Sequence, residues 1–284
     1  MRPVYIWRVL IHPGAVSLQE IRTAETLVSL EEAANLMPDG AYTTLRTYNH
    51  KEALRLEDHF LRLEETGRLV GCPLQLGRDS LRQALRLAIQ VYPADQDVRL
   101  RLLIDLAEQP GAAWIAAERL LPLSADAYTQ GVKTVTCSFV RQNPKAKLSK
   151  TMLGASDLRQ GLPADVNEAL MLDSQGRFLE GLSSNFYIIR DGRLWTAQEG
   201  VLPGLTRQLV LDEARLAGLP LELAGYPLTD LPQAQEAFLT SASRAVLPVR
   251  QVDALLIGTG QPGPLTHLLA ERYAARINLE LEEL

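Results

Sequence analysis

Apolar and polar positions change period several times along the chain, and each change marks an element. "VYIWRVLI" reads as a strand, and "GAYTTLRTYNHKEALRL" as a hairpin-like pair. "LEDHFLRLEETGRLVG" then spaces its apolar residues as a helix does and stops at Gly71, and "SLRQALRLAIQVYP" repeats that spacing. Two more strand-like runs, "VRLRLLIDL" and "AAWIAAERL", complete a compact α+β unit over residues 1–121. "PLSADAYTQG" mixes Pro, Ser, Asp and Gly with little periodicity, which predicts a linker at 122–131.

Residues 132–284 then form a second domain. "GVKTVTCSFV" alternates as a strand, and the polar loop "RQNPKAK" leads into the helical "SKTMLGASDLRQGL". Short strands follow. "EALMLDSQGRFLEG" turns at Gln175-Gly176, and "NFYIIRDGRLWT" turns at Asp191-Gly192, a dipeptide suited to tight hairpins because both central residues take positive φ there. The helix "LTRQLVLDEARLAG", the strand "EAFLTSAS", the segment "RAVLPVRQVD" and a closing helix from about Leu265 to Ile277 end the chain. Mixed strands and helices with several antiparallel turns predict an α+β fold.

Composition narrows the class. With 284 residues and 46% hydrophobic content the chain is long enough for two domains in close contact. Its formal charge of -5 arises from mixed signs rather than blocks, so no nucleic-acid partner is expected. Two cysteines far apart, Cys72 and Cys137, suit a reducing compartment better than a disulfide scaffold. His12, His50, His59 and His267 show no metal-ligand spacing, so no metal is expected. Arg8 interrupts the apolar start and no segment approaches the ~20 apolar residues of a membrane span, so the expectation is a cytoplasmic protein without a membrane partner.

Candidate chemistry centres on "FLEGLSSNFYII", where Glu180 sits inside a strand-like apolar run. Burying an unpaired carboxylate is expensive, so something cationic should meet it. "GTGQPG" at 258–263 formally satisfies a dinucleotide-binding pattern, but only 21 residues follow Gly263, too few for a complete βαβ unit, and it reads as a turn.

Arg62, Lys147, Glu180 and the turns "PGLTR" and "TSAS" make sense together around one anionic, electron-poor cofactor. In this set, and most specifically in "EALMLDSQGRFLEGLSSNFYIIRDGRLWTAQEGVLPGLTR", the chain resembles the class IV, fold-type IV pyridoxal-phosphate enzymes. That group holds branched-chain and D-amino-acid aminotransferases and aminodeoxychorismate lyase. The resemblance implies a small N-terminal α/β domain, a larger C-terminal domain with a β-barrel-like core, pyridoxal 5'-phosphate as cofactor, and a homodimer. It makes Lys147, 33 residues before Glu180, the Schiff-base lysine at a helix start, with Lys145 and Lys150 as rivals. A lysine is a nucleophile only as the neutral amine. Glu180 would face the pyridine nitrogen, its cation being the protonated ring. Arg62 would bind phosphate, although on a helix it could equally pair with Asp58 or Glu65. Ser184 and Asn185 beside Glu180, Leu205 and Thr206 at a helix start, and Ser241, Ala242 and Ser243 complete the implied cofactor and substrate contacts. Ala242 stands where relatives commonly have Thr, so backbone donors or Ser243 would take over its contact.

The reaction is open between two chemistries. "YTTLR", with Tyr42, Thr43 and Thr44, looks more like aminodeoxychorismate lyases, which release pyruvate to form 4-aminobenzoate. The two Thr residues are equally ordinary strand residues. Arg46, Arg99 and Arg101 are candidates for a substrate carboxylate, although Arg99 and Arg101 share one face of a strand and could be surface charges. The acidic glycine-rich loop of the family is reduced to "MPDG", and Met152 replaces a Tyr of branched-chain enzymes. The leading expectation is transfer of an amino group between an amino acid and a 2-oxo acid. The lyase, acting on an aminodeoxychorismate-like substrate, comes second, and a non-catalytic binding relative third.

Overall fold

A computed structural model describes residues 3–23 and 26–284. The chain runs through β1 (Val4–His12), β2 (Ala15–Glu20), α1 (Leu30–Ala34), β3 (Gly40–Tyr48), β4 (Glu52–Leu54), α2 (Leu56–Leu69), α3 (Arg78–Ile89), β5 (Val98–Asp105) and β6 (Ala113–Arg119). It continues with α4 (Ala125–Thr129), β7 (Val132–Cys137), α5 (Ser149–Gly154), α6 (Ser156–Gln160), β8 (Val166–Leu172), β9 (Phe178–Gly181), β10 (Asn185–Arg190) and β11 (Arg193–Trp195). Last come α7 (Leu205–Leu216), β12 (Leu221–Glu222), a 3-10 turn at Leu228–Gln233, β13 (Glu236–Ser241), β14 (Ala245–Val252), β15 (Leu255–Leu256), α8 (Pro264–Ile277) and β16 (Leu281–Glu283).

Two compact units emerge. One joins the chain up to Leu121 to Ala146–Gly154 and Glu280–Leu284, and the other joins Pro122–Lys145 to Ala155–Leu279. The division differs from the expected one in two respects. The stretch 122–131 is part of the second unit and carries α4, capped where Ser124 Oγ accepts from Ala127 N. The segment holding Lys147 and the C-terminal strand both return to the first unit. Their place is set by pairing, Leu148 bridging Ala41 and β16 lying along β4, which local composition does not signal.

In the first unit an antiparallel sheet runs in the order β16-β4-β3-β5-β6-β1-β2. Phe60 and Leu63 of α2 and Leu81 and Leu85 of α3 pack with Leu45, Leu100 and Leu102. A separate core gathers Leu30 and Ala33 of α1 and Met152 of α5 with Ile6, Tyr42 and Leu103. The sheet is therefore buried on both faces, and successive β3 residues enter different cores.

The second unit closes on itself. Strand pairing runs β10-β13-β14-β7-β8-β9 and returns from β9 to β10, a six-stranded barrel that leaves no open edge around the ring and bears out the barrel-like core expected. Phe178, Phe186, Ile188, Leu239 and Leu247 form its principal apolar cluster. Asp191 and Gly192 take φ of 50° and 70°, as the hairpin expected there requires. The helix read from "SKTMLGASDLRQGL" is instead two short helices, α5 and α6, separated at Ala155. "GTGQPG" is a turn, as expected, and a Cβ at Gly258 would lie 2.2 Å from the Gln235 carbonyl oxygen, so close backbone approach explains that glycine.

Candidate functional site

Glu180 answers the question its sequence setting raised. On β9, opposite Asn185 of β10, it is 2% exposed. Arg141 Nε lies 3.3 Å from its Oε1, while Oε2 accepts from Asn185 Nδ2 at 2.9 Å and from the Leu202 backbone N–H at 3.1 Å. Arg141 is itself fixed by donating to the Leu182 carbonyl at 2.7 Å. The charge of a buried carboxylate is thus compensated by a buried guanidinium and two oriented donors. Sequence reading passed over Arg141, which opens the polar loop "RQNPKAK". Its only signal was the requirement that something cationic meet Glu180.

Asn185 acts on Glu180 and, through a second bond of 2.9 Å, on the Leu202 carbonyl, so its side chain positions the carboxylate and the chain entering α7. That entry is tight, because a Cβ at Gly204 would lie 2.3 Å from Asn185 Oδ1. α7 has no side-chain cap at its N-terminus, which leaves the N–H groups around Leu205 and the buried Thr206 available to an anion. The Ser184 hydroxyl donates to the buried Glu168 at 2.9 Å. Ser241, Ala242 and Ser243 lie at the turn joining β13 to β14, and Ser241 Oγ accepts from Arg244.

The first unit holds Lys147. Its backbone is clamped: N–H donates to Thr66 Oγ1 of α2 at 3.2 Å, and its carbonyl accepts from Tyr42 N of β3 at 2.9 Å. Ser149 Oγ, which opens α5 two residues on, accepts from Gly40 N at 2.9 Å. Lys147 thus precedes the helix rather than starting it, and its Nζ lies 4.6 Å from the Tyr42 ring centroid. Its rivals are elsewhere. Lys145 belongs to the second unit and pairs with Glu199 at 3.1 Å, and Lys150 is exposed.

Cations and one neutral imidazole surround this lysine. Burial brings the Arg62 guanidinium down to about 10, against the opposing pull of Tyr42 and Asp58. Glu65, a rival partner for Arg62, is bonded to Arg68 at 2.6 Å. His59 is 4% exposed and its Nδ1 lies 2.6 Å from Thr43 Oγ1. Burial, then the charges of Arg62 and Lys147, hold it well below the usual histidine range. Arg101, buried on β5 opposite Thr44, sets its guanidinium 5.5 Å from the Tyr42 ring centroid and 3.5 Å from Glu31. Its burial also lowers its pKa.

Three of the expected substrate residues have partners within the protein. Thr43 is fully buried and bonded to His59, on the opposite side of the pleat from Tyr42 and Thr44. Arg46 is held by Asp97 at 3.1 Å and stacks on Tyr48. Arg99 lies between Glu31 and Glu118, at 3.0 Å from each. Tyr42, Thr44 and Arg101 remain as one cluster with Lys147. Among the described residues no group of His, Cys, Asp and Glu forms a metal cluster, and no helix is long and apolar enough to cross a membrane.

Comparison with known proteins follows the same lines. The family described as amino-transferase class IV matches residues 40–252. A branched-chain-amino-acid aminotransferase of Pseudomonas aeruginosa is 27% identical over 256 residues, 82% of each chain. A D-alanine aminotransferase of Listeria monocytogenes is 27% identical over 280 residues, covering 93% of this chain and 96% of the relative. The crystal structure of a putative branched-chain amino acid aminotransferase from Thermotoga maritima superposes with a TM-score of 0.76 at 24% identity, over 97% of this chain and 96% of that one. A T.th. branched-chain amino acid aminotransferase with pyridoxamine 5'-phosphate gives 0.77 at 22% identity, over 98% of both chains.

Proposed function

The chain belongs to amino-transferase class IV, and from that premise we propose that Lys147 and Glu180 are the residues through which it handles its cofactor. It is a fold-type IV enzyme that uses pyridoxal 5'-phosphate to transfer an amino group between an amino acid and a 2-oxo acid. The residues fit that cofactor. A clamped lysine, a charge-compensated buried carboxylate, a buried arginine and an uncapped helix start supply an amine, an anion and phosphate donors.

When bound, the cofactor supplies an electron-withdrawing ring that accepts the electron pair of a broken Cα–H bond. Lys147 Nζ would take the proton from the substrate Cα and, for amino transfer, deliver it to the cofactor carbon rather than back to Cα, a role open only to the neutral amine. Glu180, its carboxylate kept in place by Arg141 and Asn185, would supply a negative charge to the ring nitrogen. In the first unit Arg62 would be the donor suited to phosphate, and in the second the Leu205 and Thr206 N–H groups would be. Arg101, beside Tyr42 and Thr44, takes a substrate carboxylate.

The observation that carries this reading is the clamp on Lys147 from both β3 and α2, with its amine over Tyr42. Borohydride reduction of the yellow protein followed by peptide mapping should fix the cofactor on Lys147, and Lys147→Ala should abolish amino transfer. Label on Lys145 or Lys150 would refute the assignment. Panels of L- and D-amino acids then identify the donor. The lyase reading loses its main support, since Thr43 faces His59. Pyruvate release from aminodeoxychorismate, with no amino transfer, would restore it. The reading includes a homodimer, which the family resemblance implies, and a cytoplasmic location, supported by two free thiols, Cys72 and Cys137, that suit a reducing compartment. Light scattering on the eluting protein checks the dimer.

A further inference from the structure

Arg99 and Arg101 of β5 share one face of the strand and divide two carboxylates unequally. Arg99 takes both. Its Nη2 lies 3.0 Å from Glu31 Oε1 and its Nη1 lies 3.0 Å from Glu118 Oε1. Glu118 is fixed further, because its Oε2 accepts from Leu30 N at 2.9 Å. Arg101 receives less: its Nη1 donates to the Leu30 carbonyl, its Nη2 stands 3.5 Å from the same Glu31 oxygen, and its Nε has no partner among the described residues. At 2% exposure, little water reaches it to make up the difference.

The unequal division keeps a place open. Arg101 lies beside Tyr42, whose ring also has the Lys147 amine near it, and a buried guanidinium without a full ion pair still has donors to offer a carboxylate. Glu31 is the internal rival for those donors. A shift of its Oε1 by about 1 Å would complete the ion pair with Arg101, and the shorter contact with Arg99 holds it back. We propose that Arg99 is a positioning residue for substrate selection: by holding Glu31, it keeps Arg101 open to the carboxylate of the substrate. The inference rests on the assignment of Arg101 to a substrate carboxylate.

Its test compares two probes, butanoate and butanamide, titrated calorimetrically into the holoenzyme. They are alike in shape and differ in charge, so the ratio of their dissociation constants, amide over acid, reports the grip on a carboxylate. Arg99→Met should lower the ratio about tenfold, because Glu31 then turns to Arg101. Adding Glu31→Gln should restore it. Arg99→Met/Glu118→Gln removes the same net charge but leaves the rival in place, and its ratio should stay low. Glu31→Gln alone should raise the ratio about threefold and Glu118→Gln alone should not, a comparison that leaves both arginines intact. An Arg99→Met variant that is folded by circular dichroism and keeps the wild-type ratio would overturn the proposal. So would equal effects of the Glu31 and Glu118 changes, which would make net charge rather than the position of Glu31 the cause. A wild-type chain that does not prefer butanoate, or an Arg101→Met variant that still does, would instead overturn the assignment of Arg101 beneath it.

Discussion

The two units handle buried charge in opposite ways. In the barrel, two buried carboxylates are each met by an arginine, Glu180 by Arg141 and Glu168 by Arg244, and a third, Glu236, by the N–H groups opening α8. In the sheet unit, cations gather instead. Lys147 and Arg101 both lie near the Tyr42 ring, burial weakens the hold of Arg62 on its proton, and His59 beside them stays neutral. A carboxylate that must remain charged is well served by a fixed cation. An amine that must lose and regain a proton is better served by neighbours that disfavour a further positive charge.

Glu180→Gln tests the barrel side most severely. The amide keeps the shape and the Asn185 contact but removes the charge held for the ring. The rate of the half-reaction, followed by absorbance in a single turnover, should fall by about 100-fold or more. A loss under tenfold would mean that the charge is not what the site uses. Arg141→Met reaches the same pair from its other end and leaves Glu180 buried without its guanidinium. It should cost about 3 kcal/mol in urea unfolding, and adding Glu180→Gln should recover most of that loss. Stability unchanged by Arg141→Met would break the comparison, since the barrel carboxylate would then not depend on its arginine.

Gly204→Ala sharpens the comparison without touching a charge. The new Cβ would lie 2.3 Å from Asn185 Oδ1, so the carboxamide that steadies Glu180 must move. The φ of -62° suits alanine, which makes any effect steric rather than conformational. The expected cost is about 1 to 2 kcal/mol, with a slower half-reaction. A normal rate in a destabilised variant would separate packing from the positioning of Glu180.

Local demands made much of this legible in the sequence. The Asp191-Gly192 turn and the helices α2, α3 and α7 follow from backbone requirements and period, whereas Lys147 and Glu180 were singled out by the family resemblance, since spacing alone leaves Lys147 an ordinary surface lysine. Long-range pairing did not. Arg141 and Arg244 sit in polar segments whose partners lie far along the chain, so nothing nearby marks them as counter-charges of buried carboxylates. Thr43 and Thr44 differ only in pleat side, and a sheet covered on both faces offers no apolar-polar contrast to assign them. β16, only Leu281–Glu283 and largely acidic, becomes a strand through its pairing with β4.

The smallest expected effect concerns the neutral imidazole of the sheet unit. His59 holds its proton less tightly when folded than when unfolded, where its pKa is about 6.5. Below that pH the unfolded chain takes up a proton that the folded chain refuses. The associated stability is therefore fully present above about pH 6.5 and declines as pH falls, until the folded imidazole also protonates. The decline should be about 1 kcal/mol by pH 5.5. His59→Gln keeps a partner for the Thr43 hydroxyl but has no proton to gain, so it should lose this dependence. Carboxylates such as Glu168, whose lowered pKa costs stability only in more acid solution, are common to both proteins and cancel in the difference. Urea unfolding between about pH 7.5 and 5.5 reads that difference directly. A variant whose stability falls as steeply as the wild type over this range would mean that His59 carries a proton in the folded protein, and the cation-rich side would then tolerate one more charge than the comparison allows.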